Sequence, residues 1–562
     1  MNNLLINHLG YETDKPKQVI LQQTSALIEH QGGIFELRKK DSEEMVFSNE
    51  IQFVGSVDNW AKGYFSVLDF SEFKLQGQFF IRLVYAQDVI ESETFFIKKE
   101  IIFNESFDLL LSYFTNQRCK DIWDDADKTL SFYGGKRKDT VDVHGGWYDA
   151  SGDKSKYLSH LSYANYMNPQ QTPIVVWNML SSLETGQLSF MQSKLLTDEI
   201  LYGADFLARM QDEQGYFYTT VFDKWSHDPK KRLICSYKTQ SGDLNSDWQA
   251  GWRMGGGLAI ASLARASKLP SEQSSLYLHK AEVGFWHLIE YNLSYLDDGI
   301  ENIIDDYCAL IAAIELYAVT QQTRYKQVAI KRVHSLIERL TDDENFNGWL
   351  SADHLAERPY FHAAEEGLPI IALLRFLTVV DTEPTLCDKI HSTLQQISNC
   401  YCKLANEVNN PFHYPRMYKM TSTSAKASSF FFPHGNESGY WWQGENARLA
   451  SLATAFKLLS NTEILDGTLR CEISLLAQSS LDWILGKNPM NMCMLKGVGY
   501  HNPPEFDPLH KSVKGGICNG ITSGMWDESS IEFSPTNDPD HTWRWSEQWL
   551  PHSAWFMFAI CS

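Results

Sequence analysis

Two carboxylates four residues apart mark the first place where this chain could do chemistry. They lie in His144-Gly145-Gly146-Trp147-Tyr148-Asp149-Ala150-Ser151-Gly152-Asp153-Lys154-Ser155-Lys156-Tyr157, on a glycine-containing turn that follows a Trp-Tyr pair. An ionised carboxylate beside a water molecule can act as general base, and a second one can orient that water and help keep the first basic. The competing uses are structural, with Asp149 capping a turn and Asp153 starting a helix. A third carboxylate, Glu547, stands in His541-Thr542-Trp543-Arg544-Trp545-Ser546-Glu547-Gln548-Trp549. Desolvation among three tryptophans disfavours its ionised form and raises its pKa toward that of a working general acid. The alternative is a capping role for Ser546 and the neighbouring acids at the start of the last helix.

Between these segments, residues Phe430 to Asn446 offer Trp441 and Trp442 beside Gln443, Glu445 and Asn446. Aromatic faces flanked by polar groups suit a pyranose, which has apolar C–H faces and a hydroxylated rim. One of the two tryptophans is expected to be a core residue of the following helix. Trp147, Tyr148, Trp543 and Trp545 complete the aromatic candidates for substrate contact.

The elements that must position these groups change character along the chain. From Met1 to about Glu100, short β-rich runs (4–6, 18–22, 34–37, 64–70, 78–84, 94–97) alternate with polar turns, which predicts a small β-sandwich. Beyond about residue 104 the spacing becomes helical. Leu196, Ile200, Gly203, Leu207 and Met210 step by four and three, as do Tyr325, Ala329, Val333, Leu336 and Leu340, and Leu449, Leu452, Phe456 and Leu459. Helices are expected near 105–118, 171–187, 192–212, 248–267, 272–292, 304–320, 323–341, 362–379, 384–407, 442–459, 464–485 and 549–560. These twelve suggest an α/α toroid of alternating inner and outer helices. The fold class is therefore mainly α, with a β-sandwich at 1–100 and a helical barrel at 101–562. Three long loops, 144–167, 417–444 and 487–549, would gather at one end and carry function.

Composition bounds the partners. Lys plus Arg number 49 against 70 Asp plus Glu, a formal charge of −21, which argues against a nucleic-acid surface. Hydrophobic residues at 43 % and charged residues at 21 % exclude a disordered chain. The 17 tryptophans and 25 tyrosines fit either a very aromatic core or a surface that stacks on flat ligands such as sugars. The ten cysteines contain no CxxC pair, so neither a zinc site nor a disulfide framework is expected. The apolar stretch at 307–319 is interrupted by Glu315 and too short to span a bilayer, so no membrane partner is expected. The first eight residues lack a basic n-region and a cleavage site, which leads to the expectation of a cytoplasmic protein.

Taken together, the three constellations resemble a family 9 glycoside hydrolase with an N-terminal immunoglobulin-like domain, nearly end to end. Asn7-His8-Leu9-Gly10-Tyr11 and Leu68-Asp69-Phe70-Ser71 resemble the family's β-domain, Gly145 to Tyr157 its GGWYDAGD segment, and Leu485 to Pro489 with Gly497-Val498-Gly499 its late loop. The resemblance implies an (α/α)6 barrel and inverting cleavage of β-1,4 bonds, with Asp153 as base, Asp149 as its partner on the nucleophilic water and Glu547 as acid. It implies no required cofactor. Some family members hold calcium or zinc, but no ligand run stands out here, and Asp124-Asp125-Ala126-Asp127 reads as a solvated turn.

Two departures qualify the match. Ser151 is inserted before Gly152, which leaves open whether Asp149 and Asp153 share or exchange roles. The family's Pro-His-His-Arg stretch is replaced by Asn502-Pro503-Pro504-Glu505-Phe506-Asp507-Pro508-Leu509-His510-Lys511. With Lys514 to Gly520 and Arg358 to Glu365, this variant resembles the family's exo-β-D-glucosaminidases of chitin-using marine bacteria. The expected partner is a short glucosamine oligosaccharide cleaved from its non-reducing end. Its ring ammonium would be met by cleft carboxylates, with Glu445 taken first among Glu365, Glu366 and Glu437. The alternatives are a cellulase-type endoglucanase or β-glucosidase on cello-oligosaccharides, and a catalytically inactive sugar-binding protein. Oligomeric state is not legible.

Overall fold

The computed structural model describes residues 2–24, 33–58, 60–85, 88–160, 168–237, 242–434, 442–505, 512–526, 530–534 and 539–562. Among the described residues nine strands form the N-terminal unit: β1 (Asn3–Leu5), β2 (Tyr11–Glu12), β3 (Gln18–Gln23), β4 (Ile34–Lys39), β5 (Met45–Ser56), β6 (Tyr64–Asp69), β7 (Gly77–Tyr85), β8 (Asp88–Glu91) and β9 (Phe95–Lys98). Alternate residues turn inward, among them Val19 and Leu21, Phe35 and Leu37, Phe79, Ile81 and Leu83, and Phe95 and Ile97. Period-two burial of this kind closes a sandwich core. Strand order is β1-β3-β6-β5 on one side and β5-β4-β7-β9-β2 on the other, so β5 belongs to both layers. Its first half pairs with β4 and its second half, from Ile51, with β6. The sequence reading passed over β5 because most of its side chains are not buried and its alternation is weak.

Among the described residues twelve long helices follow, most of them close to the expected ranges: α1 (Ile101–Gln117), then, after a short α2 (Asp121–Ala126), α3 (Thr172–Glu184), α4 (Phe190–Arg209), α5 (Gly257–Ala266), α6 (Ser274–Tyr295), α7 (Ile303–Thr320), α8 (Thr323–Ile337), α9 (Leu368–Val379), α10 (Pro384–Asn406), α11 (Asn446–Ser460), α12 (Gly467–Ile484), a second short helix α13 (Pro539–Ser546), and α14 (Leu550–Cys561). The helix expected at 248–267 begins only at Gly257, because residues 249–250 pair as a strand and Gly255, at φ +96°, breaks the helical path. Helices α3, α5, α7, α9, α11 and α14 pack each on the next, and α14 returns to α3, closing an inner ring. All ten residues of α5 and all twelve of α14 are buried, as expected of a helix surrounded on every side. The outer helices are one-sided. In α8 only Tyr325, Ala329, Val333 and Leu336 are buried, a stripe at i, i+4, i+8 and i+11. The architecture is an (α/α)6 barrel preceded by a β-sandwich.

The two units are joined through polar contacts at their boundary. Glu12 of β2 accepts a hydrogen bond from the Ile102 backbone N–H at 3.1 Å, filling an orphan donor at the start of α1. Asn7 donates to Asp482 at 2.9 Å, and His8 stacks on Tyr500 with ring centroids 3.7 Å apart. One expectation is corrected here. Asp124 to Asp127 is a solvated segment only in part: residues 121–126 form α2, which leaves Asp125 exposed, but Asp127 is fully buried between Lys156 (2.7 Å) and Arg232 (2.6 Å). Burial alone would raise the Asp127 pKa, but the two cations outweigh it and hold the carboxyl below its usual range.

Candidate active site

Because the six inner helices alternate with outer ones, they run parallel and their N-termini meet at one end of the barrel. The segments entering them carry the polar residues of the site: Gln171 before α3, Glu365 and Glu366 before α9, Glu445 before α11, and Glu547 to Trp549 before α14. Helix N-termini present unpaired N–H groups and a partial positive charge, so acidic residues are at home there.

The Asp149 and Glu547 loops are stitched to each other. Ala150 and Trp549 form an antiparallel bridge, the Ser151 N–H donates to the Gln548 carbonyl at 2.8 Å, and the Leu550 N–H donates to the Asp149 carbonyl at 3.0 Å. Ser151, the inserted residue, accepts the Gln548 N–H on its hydroxyl at 2.9 Å. The insertion is thus a fastener between the loops. Ser151→Ala is expected to strand the buried Gln548 donor, costing about 1–3 kcal/mol. It should also lower kcat about tenfold with KM little changed, read from steady-state kinetics beside a thermal melt.

Asp149 is buried and fully engaged. Its carboxylate accepts from Trp549 Nε1 at 3.0 Å, from the Gln171 amide, and from His160 Nε2 at 3.4 Å. Burial pushes its pKa up, His160 and Trp549 oppose that, and the Asp153 charge adds to it. Asp153 is only partly buried, and accepts the Ser155 N–H at 2.8 Å and the Tyr157 hydroxyl at 3.1 Å. Neither aspartate caps or starts a helix. Glu547 lies at the mouth of α14, with its carbonyl accepting the Asn519 N–H at 2.8 Å. Burial raises its pKa well above the carboxylic range, and the charges of Asp153 and Asp149 raise it further. A carboxyl group whose pKa is pushed up beside two aspartates is the electrostatic pattern of an acid and base pair.

Several residues of this site were missed in the sequence. Gln171, His160, Tyr157, Tyr237 and Trp549 hold the aspartates, and Asp223 brings a fourth carboxylate near Asp153. Ser155 donates to Asp223 at 3.2 Å, and burial followed by the Asp153 charge raises the Asp223 pKa. Only Trp549 and Tyr157 stood inside the motifs already singled out.

Other expectations are corrected. Trp147 is a core residue: it is 0 % exposed, donates to Glu199 at 2.7 Å, and sits where a Cβ on Gly203 would come within 2.3 Å of its ring. The preceding Gly146 has φ +72°, and a Cβ there would lie 2.7 Å from the Phe206 ring, so the glycines serve to turn the chain into this seat. Tyr148 is buried with its hydroxyl accepting the Lys120 N–H at 3.2 Å and the Lys154 ammonium 4.4 Å over its ring. Trp545 is fully buried, donates to Thr522 at 2.8 Å and packs edge-on against Trp442, which carries the Arg544 guanidinium 4.7 Å over its ring. These four tryptophan and tyrosine side chains support the loops from beneath. Trp543 is partly exposed and remains a candidate platform. Trp441 and Glu437 lie outside the described residues, as do 506–511.

The glutamates named for an amine are also committed elsewhere. Glu445 accepts from Tyr414 at 3.0 Å, Arg448 at 3.1 Å and the Phe432 N–H. Glu366 accepts from Arg448 and from Tyr401 at 2.7 Å. Glu365 accepts from Tyr307 at 2.6 Å and the Gln170 N–H at 2.8 Å, and its pKa is raised to about 8 by burial. An unfolded chain ionises this group above about pH 4.5. The folded protein resists ionisation until about 8, so the group destabilises the fold increasingly across that interval. Glu365→Gln is therefore expected to melt near wild type at pH 5 and progressively higher than wild type toward pH 8. A Tm difference that does not widen with pH would refute this.

Among the described residues no group of three or more His, Cys, Asp or Glu is placed to hold a metal ion, and no helix is long and apolar enough to cross a membrane.

Comparison with known proteins adds family and fold. Residues 103–529 match the pattern described as glycosyl hydrolase family 9, and residues 1–87 that of the cellulase N-terminal ig-like domain. A comparison with curated proteins gives no match. Similar solved structures include a metagenome-derived family 9 endoglucanase (TM-score 0.69, 16 % identity, 100 % of this chain and 98 % of that one). A Bacteroides ovatus family 9 protein is similar at TM-score 0.66 and 18 % identity over 99 % of this chain and 98 % of its own. The family 9 endoglucanase J30 is similar at TM-score 0.67 and 15 % identity over 98 % of this chain and 99 % of its own.

Proposed function

The chain belongs to glycosyl hydrolase family 9, and from that premise we propose that it cleaves β-1,4 bonds of short glucosamine oligosaccharides from the non-reducing end with inversion. As a glycoside hydrolase it needs no cofactor. The observation that carries the mechanism is the stitched pair of loops, which sets Glu547 near Asp149 and Asp153, where burial and their charges push its pKa up. Glu547 gives its proton to the glycosidic oxygen as the bond to the anomeric carbon breaks. Asp153, with lone pairs left over from its two protein donors, takes a proton from the water attacking the opposite face. Asp149, held by three N–H donors, orients the same water. One proton leaves Glu547, one arrives at Asp153, and exchange with solvent resets both.

The substrate class rests on charge. Asp149, Asp153, Asp223 and Glu547 gather at one site, and among the described residues none of them forms a salt bridge with lysine or arginine. A ring ammonium supplies the missing positive charge. Since Glu365, Glu366 and Glu445 are committed to protein partners, that counter-charge falls to the Asp149–Asp153 loop itself. The exo mode follows the subgroup resemblance of Lys514 to Gly520 and Arg358 to Glu365. A second reading, hydrolysis of cello-oligosaccharides by the same carboxylates, is favoured by the cellulase-type pattern of the β-domain.

Digestion of glucosamine dimers to hexamers beside cellobiose and cellotetraose, followed by proton NMR, decides between them. The proposal expects glucosamine monomer, released in the α-anomeric form, together with the oligomer one unit shorter than the substrate. Faster cellobiose cleavage overturns the substrate, early dimers or trimers released from the hexamer the exo mode, and an initial β-anomer of the released monomer the inversion.

A further inference from the structure

We propose that His160, held by Tyr237, is the positioning residue that keeps Asp149 ionised and aimed at the attacking water, an inference that rests on the three-carboxylate hydrolysis given above. His160 is 7 % exposed and ends the segment that begins with the Asp149 loop. One ring nitrogen, Nε2, lies 3.4 Å from Asp149 Oδ2. The other, Nδ1, is hydrogen-bonded to the Tyr237 hydroxyl. The imidazole is packed against Tyr157, with ring centroids 4.4 Å apart, and stands edge-on to Trp549 at 6.4 Å. Tyr157 in turn donates to Asp153 at 3.1 Å, so the ring touches the support of both aspartates.

The local strands fix this arrangement. Residues 156–157 pair with 220–221, and 220–222 pair with 233–235, which brings Tyr157 and Tyr237 to the same small sheet. Burial keeps the Tyr237 phenol protonated, and an ionised Asp149 on the far ring nitrogen can only accept; the direction that satisfies both contacts has Tyr237 donating to Nδ1. A neutral imidazole then has its single proton on Nε2, facing the carboxylate. Tyr237 selects the tautomer, and the tautomer decides whether Asp149 meets a donor or a second acceptor. In chemical terms this is a tyrosine, histidine and aspartate in series. No proton needs to leave the series during turnover; its function is orientation and charge.

Asp149 depends on this donor because burial and the charge of Asp153 oppose its ionisation. Glu547 and the phenols of Tyr157, Tyr237 and, from α1, Tyr113 also face it, each with its pKa pushed up. Among the described residues no lysine or arginine forms an ion pair with Asp149; the N–H groups of His160, Gln171 and Trp549 are what favour its charge. Neither Gln171 nor Trp549 can change its donor state, so His160 is the member whose orientation must be set.

The test uses the full-length protein and the oligosaccharide that the wild type cleaves. His160→Phe keeps the ring packing and removes both nitrogens. Its kcat is expected to fall on the order of 10²-fold, the cost of a small misplacement of a reacting group, with KM within about threefold. The acid limb of its kcat/KM profile should move to higher pH, because a carboxylate that loses a donor protonates more readily. Tyr237→Phe should move both quantities the same way by about tenfold or less, and His160→Gln, whose amide can still donate, should recover part of the activity. The double variant should be no slower than His160→Phe, since the two residues act in series. An unmoved acid limb in both single variants, or losses that multiply in the double variant, overturns the inference. Tyr237→Phe removes one hydroxyl only and carries the test if His160→Phe fails to fold. An inactive Asp153→Asn beside a fully active His160→Phe rejects the inference alone, whereas a fully active Asp153→Asn rejects the hydrolytic reading beneath it.

Discussion

Replacing Glu547 by glutamine is expected to cut kcat on glucosamine oligosaccharides by about 10³-fold, within the range that general acid catalysis supplies. The loss has a signature that unfolding cannot imitate. A sugar leaving group departs as a strongly basic alkoxide and needs the proton, whereas a nitrophenolate does not. The same variant should therefore retain much of its turnover on a dinitrophenyl β-glucosaminide. The pH profile gives a second readout. Glu547 must be protonated to act, and burial with the charges of Asp153 and Asp149 holds its pKa well above the carboxylic range. Wild-type activity should fall as pH rises through that raised value, and this alkaline limb should vanish in Glu547→Gln. Thermal stability should not drop, because glutamine fills the same space and, like the protonated acid, buries no charge. A variant that cleaves oligosaccharides at wild-type rates would remove Glu547 from the mechanism.

Asp153→Asn is expected to lower kcat by about 10²- to 10³-fold, with the loss undiminished on the activated aryl substrate. Activation of the leaving group cannot replace the base that deprotonates water. Asp153 carries this role in preference to Asp149 because it is partly exposed and has two protein donors, while Asp149 is sealed among Trp549, Gln171 and His160. The variant also reports on coupling. The Asp153 charge helps hold the proton on Glu547, so its removal should move the alkaline limb to lower pH. An alkaline limb that stays in place would show that the two carboxyl groups do not sense each other.

The helical frame was legible because its signal is local. The steps of three and four from Leu196 to Met210 and from Tyr325 to Leu336 coincide with buried faces of α4 and α8. The alternation of β4 and the apolar runs of β3 and β7 were legible on the same local grounds, while β5 was not, because it bends between two layers and leaves much of its length exposed. The acidic motifs were legible as candidates. Their surroundings were not: His160 and Gln171 are ordinary polar residues in sequence, and Asp223 follows a buried strand with no motif around it.

The sequence by itself determined the alternation of helices, the two-unit organisation of strands then helices, and three carboxylates on long loops. These depend on periodicity and on residue type, which are properties of neighbours along the chain. Only the tertiary structure decided which aromatic residues could meet a ligand and which acids were free to react. Trp147 and Trp545 look like Trp543 in sequence, yet two are sealed in packed clusters and one is partly exposed. Glu445 looks as available as Glu547, yet it is taken up by Tyr414 and Arg448. Burial, and with it the cost of ionisation, is set by what the folded chain brings within a few ångströms. Here that proximity joins a loop near residue 150 to one near residue 548 through Ser151, a residue whose insertion the sequence could report but not explain.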